Sequence, residues 1–223
     1  MEFSSVSASE ILFKAQLTAS QFSVIFIVEI RGTTCVMKVH HNPGKVEPVP
    51  LERETDIHVC EATAYERLKK HGLCNSGIIP QFYGSIKDLD LRLYQPHLDM
   101  FLNDKYPPSA LFLEYIPHME MILPQHYNEE RATNLVHGIR QIHEADVLHC
   151  DVKPRNMMII KSDPGRIVWL DFDRAQTYNK GEMNERQTRF ICEEEIKVSQ
   201  FTELLETDYA RNCIQDTYLM YCT

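Results

Sequence analysis

The sequence predicts an α+β protein, rich in β-structure over its first forty residues and helical towards its end. Two observations carry this. Three runs of β-branched and aromatic residues, "EILFKAQLT", "QFSVIFIVEI" and "TTCVMKVHH", follow one another near the N-terminus, the last two separated by a turn at "RGTT". Helical periodicity then appears in "ETDIHVCEATAYERLKKHG", in "YNEERATNLVHGIRQIHEADV" and in a final region, "EEEIKVSQFTELLETDYARNCIQ". A chain of 223 residues is long enough to bury a real core, as one domain or as two small lobes.

After the first strands, "HNPGKVEPVP" carries three prolines and a glycine and reads as a loop. In the first helix Ile57, Cys60, Ala64 and Leu68 share a face, with Thr55 or Asp56 as cap. Lys69, Lys70 and His71 fill its last turn and Gly72 stops it. "IPQFYGSIK" and "SALFLEYIP" are two further strands, and the stretch "DLDLRLYQPHLDMFLNDKYPP" between them is an insertion without a clear period. The second helix is amphipathic, with Leu135, Ile139 and Ile142 on one side. A strand "NMMII", a turn "KSDPGR" and a strand "IVWLDFD" follow, then a polar stretch to about Arg189.

Composition excludes several classes. A hydrophobic fraction of 43% with 25% charged residues is that of an ordinary globular chain, not a disordered one. A net charge of -9 argues against a nucleic-acid partner, whose phosphates call for Lys and Arg stripes. It leaves room for one nucleotide held by a metal ion and a few local cations. Seven cysteines, odd in number and without a CxxC pair, read as reduced thiols of a cytoplasmic protein. "MEFSSVSASE" is unlike a signal peptide, and "FSVIFIVEI" is too short to span a bilayer and carries Glu29, so no membrane role is expected.

The chemistry concentrates in "VLHCDVKPRNMMII" and "IVWLDFDRAQ". Phosphoryl transfer needs neutralised phosphates, metal ligands and a carboxylate that orients the attacking hydroxyl. Asp151 can accept the hydroxyl proton, Lys153 can reach the transferring phosphate, and the amide oxygen of Asn156 can bind a metal. Asp171 lies 171 − 151 = 20 residues further on, at the end of a second apolar strand. A hairpin of that length returns it beside Asn156, where the two can share Mg²⁺. His149 reads as a packed residue bracing this loop. His137 and His143, six apart, do not share a helix face for a metal.

"HCDVKPRN" followed by "LDFD" resembles the catalytic loop and metal-binding motif of the protein-kinase superfamily, H-R-D-x-K-P-x-N and D-F-G. Upstream, "CVMK" resembles the strand with the phosphate-binding lysine, here Lys38. "CEATAYERL" resembles the helix whose glutamate pairs with it, here Glu61 with Glu66 as rival. "LFLEYI" resembles the hinge, with Leu113 as gatekeeper, Glu114 facing the adenine amino group and Ile116 offering backbone bonds. The phrasing "AYERL…IIPQFYG" is similar to that of small kinase-like proteins of filamentous fungi, and the resemblance covers roughly residues 10 to 175.

The resemblance implies a compact bilobal kinase fold, with an N-lobe over residues 1–117 and a reduced helical C-lobe over 118–223. It further implies ATP and Mg²⁺ as cofactors and a hydroxyl acceptor, first of all Ser or Thr on a protein. A small-molecule kinase of the aminoglycoside- or choline-kinase-like type, or a pseudokinase scaffold, are the alternatives. Three departures bear on that choice. The first hairpin, "LTASQ", has no glycine to admit phosphates to backbone amides, so modest ATP affinity is expected. Cys150, expected to be an inert buried thiol, replaces the arginine that reads a phosphorylated activation loop. Asp173 stands at the glycine of D-F-G, and about fifty residues follow Asp171 without an "APE" motif, so the C-lobe is expected to be truncated.

Overall fold

The alternation in "SVIFIVEI" sets the first sheet. β1 (Ile11–Ala19), β2 (Ser23–Ile30) and β3 (Thr33–His40) form an antiparallel meander. On β2 every second residue, Val24, Phe26, Val28 and Ile30, is buried. Each such side chain contributes about 1.5–3 kcal/mol on leaving water. The β2–β3 turn has two residues, Arg31 at φ 50° and Gly32 at φ 76°. This double left-handed geometry is that of a type I′ hairpin turn, whose twist matches the flanking strands. This computed structural model describes residue 3, residues 6–44 and residues 53–222. The loop expected at "HNPGKVEPVP" lies outside the described residues from 45 onward.

Helix α1 (Ile57–Lys70) starts where Asp56 accepts the backbone N–H of His58 and Val59. Cys60, Ala64 and Leu68 are buried, and Gly72 at φ 85° ends the helix as expected. β4 (Phe82–Ile86) and β5 (Ser109–Glu114) complete a five-stranded antiparallel sheet of order β1-β2-β3-β5-β4. The insertion between them folds into two single 3-10 turns, Leu91–Leu93 and Asp99–Phe101. These bury Leu89, Tyr94, Leu98 and Phe101 in the core of the sheet. Its apolar residues fit neither a period of 3.6 nor one of 2 because single turns have no period.

Downstream lie β6 (Met119–Met121), α2 (Glu129–Glu144), β7 (Val147–Leu148), β8 (Met157–Ile160), β9 (Asp163–Trp169), β10 (Gln176–Thr177), α3 (Glu185–Arg211) and α4 (Tyr218–Tyr221). They make a three-stranded sheet, β6-β8-β9, and a two-stranded one, β10-β7. Leu135, Ile139 and Ile142 of α2 are buried, as the period predicts. Two boundaries differ from expectation. β9 begins at Asp163, so only Lys161 and Ser162 turn, and Pro164 is tolerated because β9 is an edge strand. Helix α3 begins 193 − 185 = 8 residues before the expected start. There Asn184 and Gln187 close a reciprocal capping box at 3.0 and 2.9 Å.

The chain divides into two compact units. One holds the residues up to Ala62 together with Gln81–Tyr115; the other holds Thr63–Pro80 and the chain from Ile116 onward. A single cut after residue 117 does not describe this, because 63–80 goes with the later elements. One tie explains why: the backbone N–H of Trp169 donates to the carbonyl of Ile78 at 2.8 Å.

Candidate active site

The first unit holds Lys38, Glu61, Leu113 and Glu114; the second holds Ile116, Asp151, Lys153, Asn156 and Asp171. In the first, Lys38 on β3 meets Glu61 on α1, with Nζ 2.7 Å from Oε2. Both are buried, Lys38 at 6% exposure and Glu61 at 1%. Burial alone would raise the Glu61 pKa, but the Lys38 charge and a hydrogen bond from His40 outweigh it and hold the carboxyl well below its usual range. The rival Glu66 is exposed. Geometry thus chooses between two glutamates that the sequence could only rank.

Leu113 is buried on β5 between Val36 and Phe82. The Glu114 carboxylate accepts the N–H of Gln81 at 3.0 Å, while its own N–H donates to the Gln81 carbonyl at 2.8 Å. Its side chain is thereby tied to the start of β4. In the turn between β1 and β2, the Ser20 hydroxyl accepts from the N–H of Phe22 and of Ser23, each at 3.1 Å. A serine does locally what a glycine-rich loop leaves undone: it uses up amides.

In the second unit Asp151 is buried at the head of a tight loop. Pro154 opens a 3-10 turn, Pro154–Asn156, where its fixed φ and missing N–H cost nothing. That turn brings Asn156 back to Asp151. The amide nitrogen of Asn156 donates to the Asp151 carbonyl at 2.9 Å and to Oδ2 at 3.0 Å. A backbone carbonyl can only accept, so it is the amide nitrogen, not the oxygen, that stands there. Lys153 Nζ lies 3.9 Å from Asp151 Oδ1. Beyond β9 the N–H of Leu170 donates to the Asn156 carbonyl at 3.0 Å, so the hairpin returns Asp171 next to Asn156 in register.

Asp171 has φ 65° and Cys150 φ 63°, both left-handed. Aspartate tolerates this conformation better than most residues. Cys150 is half-buried, not the buried thiol expected, and its backbone N–H is held by Glu194. His149 is fully buried, packs on Trp169 and Phe172, and its Nε2–H donates to the Leu170 carbonyl at 3.1 Å. It braces the two loops, as its place in the motif suggested. His137 is exposed, and His143 bonds Glu194.

Three residues escaped the sequence reading. His40 stands two residues from Lys38 on a strand, so its shared face was legible from period 2. Arg155 donates to Asp151 Oδ2 at 2.8 Å, four residues on. Glu194 accepts the N–H of His149 and of Cys150 from more than forty residues away, and no local pattern announces it.

Among the described residues no three His, Cys, Asp or Glu side chains gather as a closed metal site. An amide oxygen beside a carboxylate still suits Mg²⁺, which takes one or two protein ligands and completes its shell with water and phosphate oxygens.

The family model described as Protein kinase domain matches residues 53–203, which is 203 − 53 + 1 = 151 of the 223 residues. The chain belongs to the protein kinase domain family. It is also similar to the human protein "Myosin light chain kinase family member 4", at 25% identity over 158 residues. That similarity covers 62% of this chain and 39% of the relative's length. The matched span begins after β3, so it takes in Glu61 but not its ion-pair partner Lys38. No helix among the described residues is long and apolar enough to cross a membrane.

Proposed function

We propose that this protein kinase domain transfers a phosphoryl group from ATP to a hydroxyl in a Mg²⁺-dependent reaction, with Ser or Thr of a protein as first acceptor. The observation that carries the reading is Asn156, whose amide nitrogen donates twice to Asp151 while its backbone carbonyl accepts the N–H of Leu170, the residue before Asp171. ATP supplies the transferable phosphoryl group, and the metal screens its charge. Lys38, held by Glu61, neutralises phosphate oxygens. Asn156 and Asp171 are the metal ligands. Asp151, whose Oδ2 accepts from Asn156 and Arg155, orients the acceptor hydroxyl and takes its proton. Lys153, beside Oδ1, screens the charge that develops on the transferring group. Leu113, Glu114 and Ile116 border the base, with Glu114 and Ile116 contributing backbone.

A protein acceptor is supported by the lysine of "DVKPRN" and by the relative's name, which gives a kinase of a protein. A cytoplasmic setting belongs to the same reading, supported by seven free thiols. One observation favours a second reading, a pseudokinase scaffold: Ser20 consumes amides of the first hairpin. The deciding experiment is incubation with γ-labelled ATP and Mg²⁺ beside the Asp151→Asn variant. Label on a protein hydroxyl that disappears in the variant supports the reading. Label on a small metabolite moves the acceptor class, and no transfer to any acceptor, water included, establishes the scaffold.

A further inference from the structure

The Lys38–Glu61 pair has a third member. His40 Nε2 lies 2.8 Å from Glu61 Oε2, the same oxygen that Lys38 Nζ meets at 2.7 Å. The other carboxylate oxygen, Oε1, is buried and accepts no hydrogen bond. All of this happens where water does not reach: the His40 side chain is 2% exposed and that of Glu61 1%. His58 packs edge-on against His40, ring centroids 5.6 Å apart, and burial pushes its own pKa down to about 4. With His58 neutral, Lys38 and His40 are the donors that meet on Glu61 Oε2.

A lysine that serves phosphates has two obligations. It must reach an anionic ligand, and it must neutralise the carboxylate it is packed against. An ammonium has three N–H donors, and those turned to a phosphate are withdrawn from Glu61. A buried carboxylate that loses its partner is strongly destabilising. We propose that His40 is a positioning residue: its Nε2–H stays on Glu61 Oε2 and fixes that carboxylate while Lys38 shares its protons with the phosphates of a nucleotide. His40 touches no ligand and acts through Glu61 and Lys38. The inference rests on the phosphotransferase reading, since only a phosphate-bearing ligand asks Lys38 to divide itself.

The test is calorimetric titration of the full chain with MgATP and, separately, with adenosine, which has no phosphates. His40→Leu is expected to weaken MgATP about tenfold, the loss of about 1.4 kcal/mol, and to leave adenosine within about twofold. His40→Gln, whose side-chain amide can replace the Nε2–H donor, is expected to restore MgATP to within about threefold. Should His40→Leu fail to fold, His40→Asn, whose amide ends short of Glu61, takes its place with the same expectations. Unchanged MgATP affinity overturns the proposal. So does equal loss of both ligands, or failure of Gln to restore binding, since either marks a packing role. A wild-type protein that binds adenosine but gains nothing from the phosphates, or binds neither, removes the phosphotransferase reading itself and this inference with it.

Discussion

Glu194 on α3 accepts the backbone N–H of Cys150 at 2.6 Å, across forty-four residues of chain. Its second oxygen takes the N–H of His149 at 3.1 Å and Nε2 of His143 at 2.9 Å. Cys150 is left-handed, a conformation that costs a non-glycine residue about 1–3 kcal/mol and persists only where surroundings impose it. The carboxylate is that imposition. It fixes the backbone immediately before Asp151 from an element more than forty residues further along the chain.

Glu194→Ala therefore takes the acceptor from the buried N–H of His149 and the part-buried N–H of Cys150, and leaves His143 with Glu195 alone of its two carboxylates. Stability is expected to fall by about 3 kcal/mol or more. Phosphotransfer is expected to fall at least tenfold even at temperatures where the variant is folded. Denaturant melts paired with turnover measurements check this; a folded variant with normal turnover would show that Asp151 needs no such support.

The two candidate glutamates on α1 separate cleanly. Glu61→Ala leaves Lys38 buried without its carboxylate, and breaking such a pair costs about 3–5 kcal/mol. Glu66→Ala changes an exposed residue and is expected to stay within about 0.5 kcal/mol of the parent. Parallel thermal melts decide, and equal effects from the two would contradict the assignment.

The proposed reading makes Asn156 and Asp171 the residues that would hold Mg²⁺. ATP is expected to raise the melting temperature markedly with Mg²⁺ and little with EDTA, since stabilisation by a ligand scales with its occupancy. Asp171→Ala should abolish the Mg²⁺-dependent part while leaving the unliganded protein folded. Equal stabilisation by ATP in EDTA would count against a metal at this position.

Gly138 sits in the middle of α2, where glycine is worth about 1 kcal/mol less than alanine in an exposed helix. Here a Cβ would stand 2.6 Å from Nε1 and 3.0 Å from Cδ1 of Trp169, the residue that ends β9 just before Leu170 and Asp171. Gly138→Ala is accordingly expected to destabilise by about 1–3 kcal/mol, the usual scale of overpacking. Trp169 is the single tryptophan, so its fluorescence reports the displacement directly.

Acid exposes a different element. The Asp208 carboxylate at the end of α3 accepts from the N–H of Gln215, Asp216 and Thr217 and from the Thr217 hydroxyl. Burial alone would raise its pKa, but these donors hold it down to about 2, against an ordinary value of 3.8. A depressed carboxylate contributes stability that is complete above the unfolded value and is lost as pH falls through the folded one. The melting temperature should therefore drop between about pH 4 and pH 2, and the drop should be shallower in Asp208→Asn. Identical slopes in the two proteins would remove Asp208 from the acid transition.

The sequence by itself determined the elements whose signals are local. Alternation in β2, the face of α1 with its Asp56 cap and Gly72 stop, and the apolar side of α2 each depend on neighbours a few positions away. The spacing of Asp151, Lys153 and Asn156 was equally legible, because one 3-10 turn closes it. Tertiary structure decided what depends on groups far apart in sequence. The strands β6, β7 and β10 are two or three residues long and exist only through their partners. The choice of Glu61 over Glu66 is a matter of which glutamate α1 turns inward. His40 joins that pair from β3, and Glu194 reaches the loop before Asp151 from α3. Charged groups like these carry no periodic signature: a buried carboxylate and an exposed one are the same letter, and only desolvation against a fixed donor distinguishes them.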